Sequence, residues 1–550
     1  MPKNRCAVVI LASSACILAF AGRSSAELTH AQEVLINRGL QRANLATSND
    51  VYHFSTYQAA GYNLQDWGFN SDISQLPNMP WSRWVSDSTQ LPGGPNHTDE
   101  TPYLGNLVSL QLADELNLND PAVFATQVAL FQQARAQLPG VLLYTNNYSG
   151  QASDQTISNL VAQAHPDMLC FDMYPFQSVY NPNGGTDPNN RTDYPAIGGV
   201  PTAWLSELRR YRQNGIGYNI PVGIYTQTFH AIEGYDARVY RDPSDSELRY
   251  NNTAALAFNV KQLMGFEYNA SSAMALFTPM QDRPGHLAYG DTYPNDGSPG
   301  RNSDLYSVQQ DVNRRIANLG KALVQLKPVN DLHNPNDTSP PPGPASGNVN
   351  FPDGTTTSIL ILKQTPGAAT GGLPIGFQDD PPLPKSASWW ESGKNDPYLN
   401  GWAVKNLGSM NGGKPGEVII SWFTPLDESL DGPGYNNEVY MMVVNGLTDP
   451  SGSGADCAQD IKLNFLGSVP GIEELDPETG ALTFPSLTTI SGGKKQLDLT
   501  LDGGDGILLK FNDGAPFVGV NNQSFVPEPA GLSVLALCPV LLRRRRGKSK

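Results

Sequence analysis

Between residues 35 and 328 short β-type runs alternate with helical stretches, and no other feature constrains the fold as strongly. The runs are "GLQRANLA" (39–46), "YNLQDW" (62–67), "LVSLQLA" (107–113), "VLLYTNN" (141–147), "MLCFDMY" (168–174), "VGIYTQTF" (222–229) and "AMALFTPM" (273–280), and "MPWSRWVSD" (79–87) supplies an eighth. The clearest intervening helix is "DPAVFATQVALFQQARAQL", with Asp120 as N-cap, Pro121 at the first helical position and Pro139-Gly140 as the stop. "TISNLVAQA", "TAWLSELRRYRQ", "DSELRYNNTAALAFNVKQLMGF" and "DLYSVQQDVNRRIANLGKALVQL" read as further helices. Eight strands in about 290 residues is the size of a (β/α)8 TIM barrel. An open doubly wound sheet is the rival, but no G-x-G-x-x-G follows any strand.

The alternation stops at "KPVNDLHNPNDTSPPPGPASGN", a Pro-, Asn- and Ser-rich linker. Beyond it "SILILK", "EVIISWF", "EVYMMVVNGL", "IKLNFL", "QLDLTL" and "GILLKF" are strands separated by Gly, Asp and Pro turns. The expected architecture is α/β: a barrel over 35–328, a linker over 329–349 and an all-β sandwich over 350–515.

Both ends carry export features. Lys3 and Arg5, the apolar stretch Cys6 to Gly22 and Ser24-Ser25-Ala26 have the order of a secretory signal peptide, residues 1–26. At 526–550, Val526-Pro527-Glu528-Pro529, an apolar run and Arg543 to Arg546 resemble the PEP-CTERM sorting signal of bacteria. That resemblance implies an exosortase-type processing enzyme as partner, transient membrane association through the tail, and delivery to the cell envelope or outside. The alternative is a tail anchor with a positive flank.

The formal charge of −16 gives the body no electrostatic attraction to nucleic acid or an anionic membrane. Five cysteines occur, but only Cys170 and Cys457 lie between the two terminal signals, so no disulfide framework is expected. Cys170, inside an apolar run, reads as a small core residue. "GSMNGGKP" (408–415) spells a phosphate-loop pattern, yet Pro415 replaces the magnesium-binding hydroxyl and the segment lies among strands, so it reads as a turn. H-E-x-x-H and G-x-S-x-G are absent and the seven histidines are scattered, so no metal and no cofactor is expected. The Asn/Asp-rich loop 181–193 reads as plain turns rather than a calcium site.

Carboxylates and aromatics at strand ends remain. Chemistry in a barrel sits at the C-terminal ends of its strands. Asp114 and Glu115 close one run, Asp172 with Tyr174 another, and Gln227 with Phe229 and His230 a third, while Asp282 follows "ALFTPMQ". Glycoside cleavage needs two carboxyl groups, one to protonate the leaving oxygen and one ionised. Trp81, Trp84, Tyr103, Tyr148, Tyr174 and Phe229 are candidate faces for sugar rings.

"LQLADELN", "PDMLCFDMYPF", "IYTQTFH", "SDSELRYNNTAALAFNVKQLMGF" and "LTLDGGDGILLKF", in this order, resemble bacterial (β/α)8 glycoside-hydrolase-like proteins related to the family 42 β-galactosidase and cellulase-type barrels. The resemblance spans about residues 35–515. It implies a carbohydrate substrate, Glu115 as catalytic acid/base, Asp114 as its neighbour, and Asp172 with Tyr174 in the sugar-binding floor. Departures are Leu116 in place of Pro, and Asn259 and Gln262 in place of glycines. If "LQLADE" is the fourth strand, Gln227 ends the seventh, where a nucleophilic Glu is expected. The nucleophile is then Asp172, Asp282, Glu233 or Glu267, or the enzyme inverts, or the barrel is a non-catalytic carbohydrate-binding or matrix protein.

Overall fold

The computed structural model describes residues 28–46, 54–67, 79–180, 191–194, 202–231, 238–240, 243–269, 277–278, 304–328, 359–362, 399–426, 439–465, 467, 469, 471–511 and 515–520. The segments expected as export leader, linker and C-terminal sorting signal, together with Glu233, Asp282 and most of loop 181–193, lie outside them. Among the described residues no helix is long and apolar enough to cross a membrane.

The first half runs α1 (His30–Arg38), β1 (Gln41–Ala46), α2 (Phe54–Ala59), β2 (Gln65–Trp67), β3 (Trp81–Val85), β4 (Leu107–Asp114), α3 (Pro121–Gln137), β5 (Leu142–Tyr148), α4 (Asp154–Ala164), β6 (Leu169–Asp172), β7 (Gln177–Tyr180), β8 (Arg191–Tyr194), α5 (Thr202–Tyr218), β9 (Val222–Gln227), β10 (His230–Ala231), β11 (Arg238–Tyr240), α6 (Asp245–Ala257), β12 (Val260–Asn269), β13 (Phe277–Thr278) and α7 (Asp304–Leu323). Strands β1, β2, β3, β4, β5, β6, β9 and β12 close into one parallel barrel. The expected barrel is present, with β4 fourth and β9 seventh.

Its eighth strand is not the expected one. "DSELRYNNTAALAFNVKQLMGF" is a helix only to Ala257; Asn259 turns at φ 70° and Val260–Asn269 pairs with β1 and β9. A barrel strand is buried on both faces, so "VKQLMGF" lacks the alternation that separates strand from helix. In "AMALFTPM", Phe277–Thr278 instead forms a small antiparallel ladder with β10.

Ala43, Leu64, Val108, Leu142, Tyr144, Met168, Cys170, Tyr225 and Met264 fill the barrel, and Ala31 and Leu35 of α1 plug its base. Gly265 is required where β12 passes β1, because a Cβ there would sit 2.4 Å from Asn44 Nδ2. Outside, Leu110, Leu112, Phe131, Leu160, Leu208, Ile224 and Leu263 belong to the shell between strands and helices.

The second half contains β14 (Leu326–Pro328), β15 (Ile359–Leu362), β16 (Leu399–Asn406), β17 (Val418–Pro425), β18 (Tyr440–Asn445), β19 (Gln459–Phe465), β20 (Ile472–Leu475), β21 (Leu482–Thr483), β22 (Thr488–Thr489), β23 (Lys495–Leu501) and β24 (Gly506–Phe511). One antiparallel sheet runs β14-β17-β18-β24-β20-β21 with β15 on β17, and the other runs β16-β19-β23-β22. Trp402, Ile461, Leu463 and Leu497 of one sheet pack on Ile420, Trp422, Val443 and Leu509 of the other, giving the expected sandwich. Leu326–Pro328, read from the sequence as the end of the barrel, is an edge strand of the sandwich sheet.

The sandwich is tied to α6 and α7. Ile419, Tyr440 and Met442 bury their barrel-side face in the shell core. The turn in "LDGGDG" fits against α6 only as glycine: Gly504 has φ 79°, and a Cβ would lie 2.3 Å from Ser246 O. Arg249 on α6 pairs with Asp245 (2.7 Å), Asp311 (2.7 Å) and Asp505 (3.1 Å), and Arg315 on α7 pairs with Asp505 (2.9 Å), Asp311 (3.1 Å) and Glu478. "GSMNGGKP" is a turn between β16 and β17, with Asn411, Gly412 and Gly413 all at positive φ.

Candidate active site

The mouth is built on the C-terminal ends of β2, β4, β5, β6 and β9. At the end of β4 the register with β5 shifts between Gln111 and Asp114, and Ala113 (φ 61°) and Glu115 (φ 48°) both adopt left-handed backbone. Non-glycine residues held at positive φ are uncommon and gather at functional sites. The turn is pinned on both sides: Glu115 N donates to Asn146 O at 3.0 Å, and Gln151 Nε2 donates to Glu115 O at 2.6 Å. Asp120 caps α3 by accepting from Ala122 N and Val123 N, so neither Asp114 nor Glu115 is its cap.

Asp114 is held by two amides, Gln111 Nε2 at 2.8 Å and Asn146 Nδ2 at 3.0 Å on the same oxygen. Gln111 Oε1 in turn accepts from the Tyr225 hydroxyl at 2.7 Å, which lies 3.0 Å from Asp66 Oδ2. The Trp84 indole donates to Tyr225 Oη at 2.8 Å. Asp172 is buried at the end of β6, near enough to the exposed Glu115 for that carboxyl to disfavour its ionised form.

The carboxyls are electrostatically crowded. Burial raises Asp172 well above the ordinary carboxylate range, and the charges of Glu115 and Asp114 raise it further. Burial pushes Asp114 up to about 6, with Glu115 adding to the rise and the Asn146 and Gln111 amides opposing it. Asp66 is pushed up to about 7 by burial, against the hydrogen bonds of Tyr225 and Trp84. The four acidic groups thus separate into Asp172, whose acid form is the most strongly favoured, Asp66 and Asp114, raised to about 7 and about 6, and Glu115 in solvent.

Aromatic rings form the wall beside β6, β9 and β12. Tyr174 meets Phe229 edge-on at 5.0 Å, and Phe266 lies 5.2 Å from Phe229 and 5.9 Å from Tyr174. Trp84 stands edge-on to Tyr225 at 5.9 Å.

Three sequence-derived candidates do not face the open mouth, and Phe229 is one of them, its ring buried at 1% exposure. Trp81 begins β3, donates its indole N–H to Tyr103 O at 2.9 Å and is buried in the shell core, because a strand's first residue lies at the barrel base. Gln227 is not directed at a ligand: its Oε1 accepts from Phe176 N at 2.9 Å, and its Nε2 donates to Phe176 O at 3.0 Å and Phe229 O at 3.3 Å. It clamps the "YPF" segment to the seventh strand, a task that needs an amide rather than a carboxylate. Glu267 is fully buried at the end of β12. Cys170 lies in the barrel interior and Cys457 is also buried; both are free thiols. Among the described residues no cluster of His, Cys, Asp and Glu is arranged to hold a metal ion.

Asp66, Tyr225, Gln111 and Asn146 were not singled out from sequence. Their signal is positional: each is a polar side chain in a β-run of a chain that buries its strands on both faces, where a polar residue without a partner is costly.

No family model matches the chain, and no curated protein matches it. Solved structures do. The β-galactosidase of the psychrophilic Marinomonas ef1 is 9% identical over 52% of this chain and 62% of its own, with a TM-score of 0.33. The GH2 β-galacturonidase of Eisenbergiella tayi bound to galacturonate is 11% identical over 50% of this chain and 51% of its own (TM-score 0.30). Xylanase 10B of Thermotoga petrophila RKU-1 in complex with xylobiose is 11% identical over 53% and 99% (TM-score 0.29). The chain thus spans about three fifths of the first and half of the second. At these identities no site residue and no substrate transfers from them.

Proposed function

We propose that the protein is an exported glycoside hydrolase that cleaves a poly- or oligosaccharide by carboxylate acid/base catalysis. The observation that carries the reading is the Glu115–Asp172 carboxyl pair at the barrel mouth, one member buried with its acid form favoured, the other exposed. Asp172 stores the pair's proton and Glu115 presents it to the leaving oxygen. Asp114, fixed by Gln111 and Asn146, is the ionised partner that stabilises positive charge at the anomeric carbon or activates water. Trp84 and Tyr174 position sugar rings. The leader and the tail read from the sequence support export and exosortase-type processing.

A second reading, a carbohydrate-binding barrel without hydrolysis, draws on Gln227, which leaves the seventh strand without a nucleophile. A panel of polysaccharides incubated with purified residues 27–526 separates the two. Hydrolysis predicts reducing-end release that falls at least about 100-fold in Glu115→Gln and Asp172→Asn with the melting temperature retained. Binding without release supports the second reading, and unchanged release in both variants refutes the catalytic assignment.

A further inference from the structure

A cavity of about 250 Å³ lies at the opposite end of the barrel, where the base meets the sandwich. Its walls come from α1, the end of α5, the start of β12, β14 and Leu426 just beyond β17. They are largely apolar, with Leu35, Ile216, Ile220 and Val324 among them, and among the described lining residues none is acidic.

Lys261 opens into this space although it is only 5% exposed. Its ammonium donates to the Leu323 carbonyl at the end of α7 and sits 5.9 Å from the Phe423 ring centre. Both contacts suit a cation: the carbonyl end of a 20-residue helix carries partial negative charge, and a ring face attracts positive charge. Neither is a full counter-charge, and among the described residues no carboxylate pairs with it. Burial accordingly pulls the amine down to about 7. A buried cation lacking a formal partner is costly, and an anion entering the cavity supplies what is missing.

We propose that this junction cavity is a binding site for a small monocarboxylate with an apolar body, its carboxylate paired with Lys261 and its hydrocarbon part against Leu35, Ile216, Ile220 and Val324. The walls select a monoanion, since a dianion such as phosphate would have to leave water for a largely apolar surface with one fully buried cation. Lys327, whose ammonium lies 3.4 Å from Leu426 O, lines the same space and adds positive potential. Because the walls belong to both halves, occupancy also stabilises the junction. The proposal is independent of the chemistry at the mouth.

The test uses benzoate as probe and benzamide as its uncharged counterpart, in ligand-observed NMR and thermal unfolding of the mature chain. The expected result is benzoate binding at least about tenfold tighter than benzamide, with a benzoate-dependent rise in melting temperature. Lys261→Met, which keeps the aliphatic stem, should lose that preference, and Ile216→Phe, which fills the cavity and leaves the amine, should weaken both ligands. Equal binding of the two probes to the unaltered protein, absence of benzoate binding, or a benzoate preference that survives Lys261→Met overturns the proposal. The probe comparison on the unaltered protein stands even where a variant does not fold.

Discussion

The acidic side chains at the mouth and Asp311 at the barrel–sandwich junction receive opposite treatment. At the junction, burial alone would raise Asp311, yet hydrogen bonds from Arg314 and Arg249 and the charges of Arg249 and Arg315 hold it at about 2. At the mouth, the buried Asp66 and Asp172 and the half-buried Asp114 rise instead. The junction matches Asp245, Asp311, Asp505 and Glu478 with arginines and gains cohesion. The mouth leaves like charges crowded and so holds a proton available near neutrality, a pattern that marks sites of chemistry more often than sites of structure.

The comparison is broken most severely by removing the cation that three junction carboxylates share. Arg249→Met leaves Asp245, Asp311 and Asp505 short of a partner and should cost about 3 kcal/mol in urea unfolding. Gln227→Glu tests whether the seventh strand only awaits its carboxylate. The new group would face the Phe176 and Phe229 carbonyls that the amide now satisfies, so the variant should lose about 2 kcal/mol of stability and gain no glycosidase activity.

Asp66→Asn is expected to act in the other direction. Folded Asp66 titrates near 7 and its unfolded counterpart near 3.8, so the native chain binds the extra proton between these values. The contribution of Asp66 to stability therefore grows as pH falls from about 7 toward 4, and its ionised form is a burden above 7. The Asn variant should be more stable than the parent at pH 8 by roughly 1–2 kcal/mol, with the advantage gone at pH 4. Asp311 has the reverse sign and the smallest effect. Its folded value lies below 3.8, so its contribution is present above that pH and fades as pH falls toward 2. Asp311→Asn should lower stability modestly across the neutral region, where the paired carboxylate contributes, and flatten the acid limb, so that parent and variant converge near pH 2.

Most of the fold was legible because each half has its own periodicity. The strand count placed "LQLADE" fourth and "VGIYTQ" seventh, and both positions hold. The sequence misled where a helix runs into a fully buried strand without Gly or Pro: Asn259, at φ 70°, is the only punctuation between α6 and β12. The site was legible in part. Asp114, Glu115, Asp172, Trp84 and Tyr174 stand out as polar or aromatic residues at strand ends, whereas Asp66 and Tyr225 come together only through barrel closure. Gln227 and Trp81 show the limit of strand-end reasoning, since a terminus does not reveal whether a side chain serves a ligand or its own backbone.

The central claim is that Asp172 keeps a proton at neutral pH through burial and the neighbouring Glu115. Infrared difference spectroscopy of the parent against Asp172→Asn at pH 7 measures this directly. The account predicts a protonated-carboxyl C=O band in the parent that is missing in Asp172→Asn and weakened or shifted in Glu115→Gln. A parent spectrum with only ionised carboxylate bands at pH 7 would contradict it.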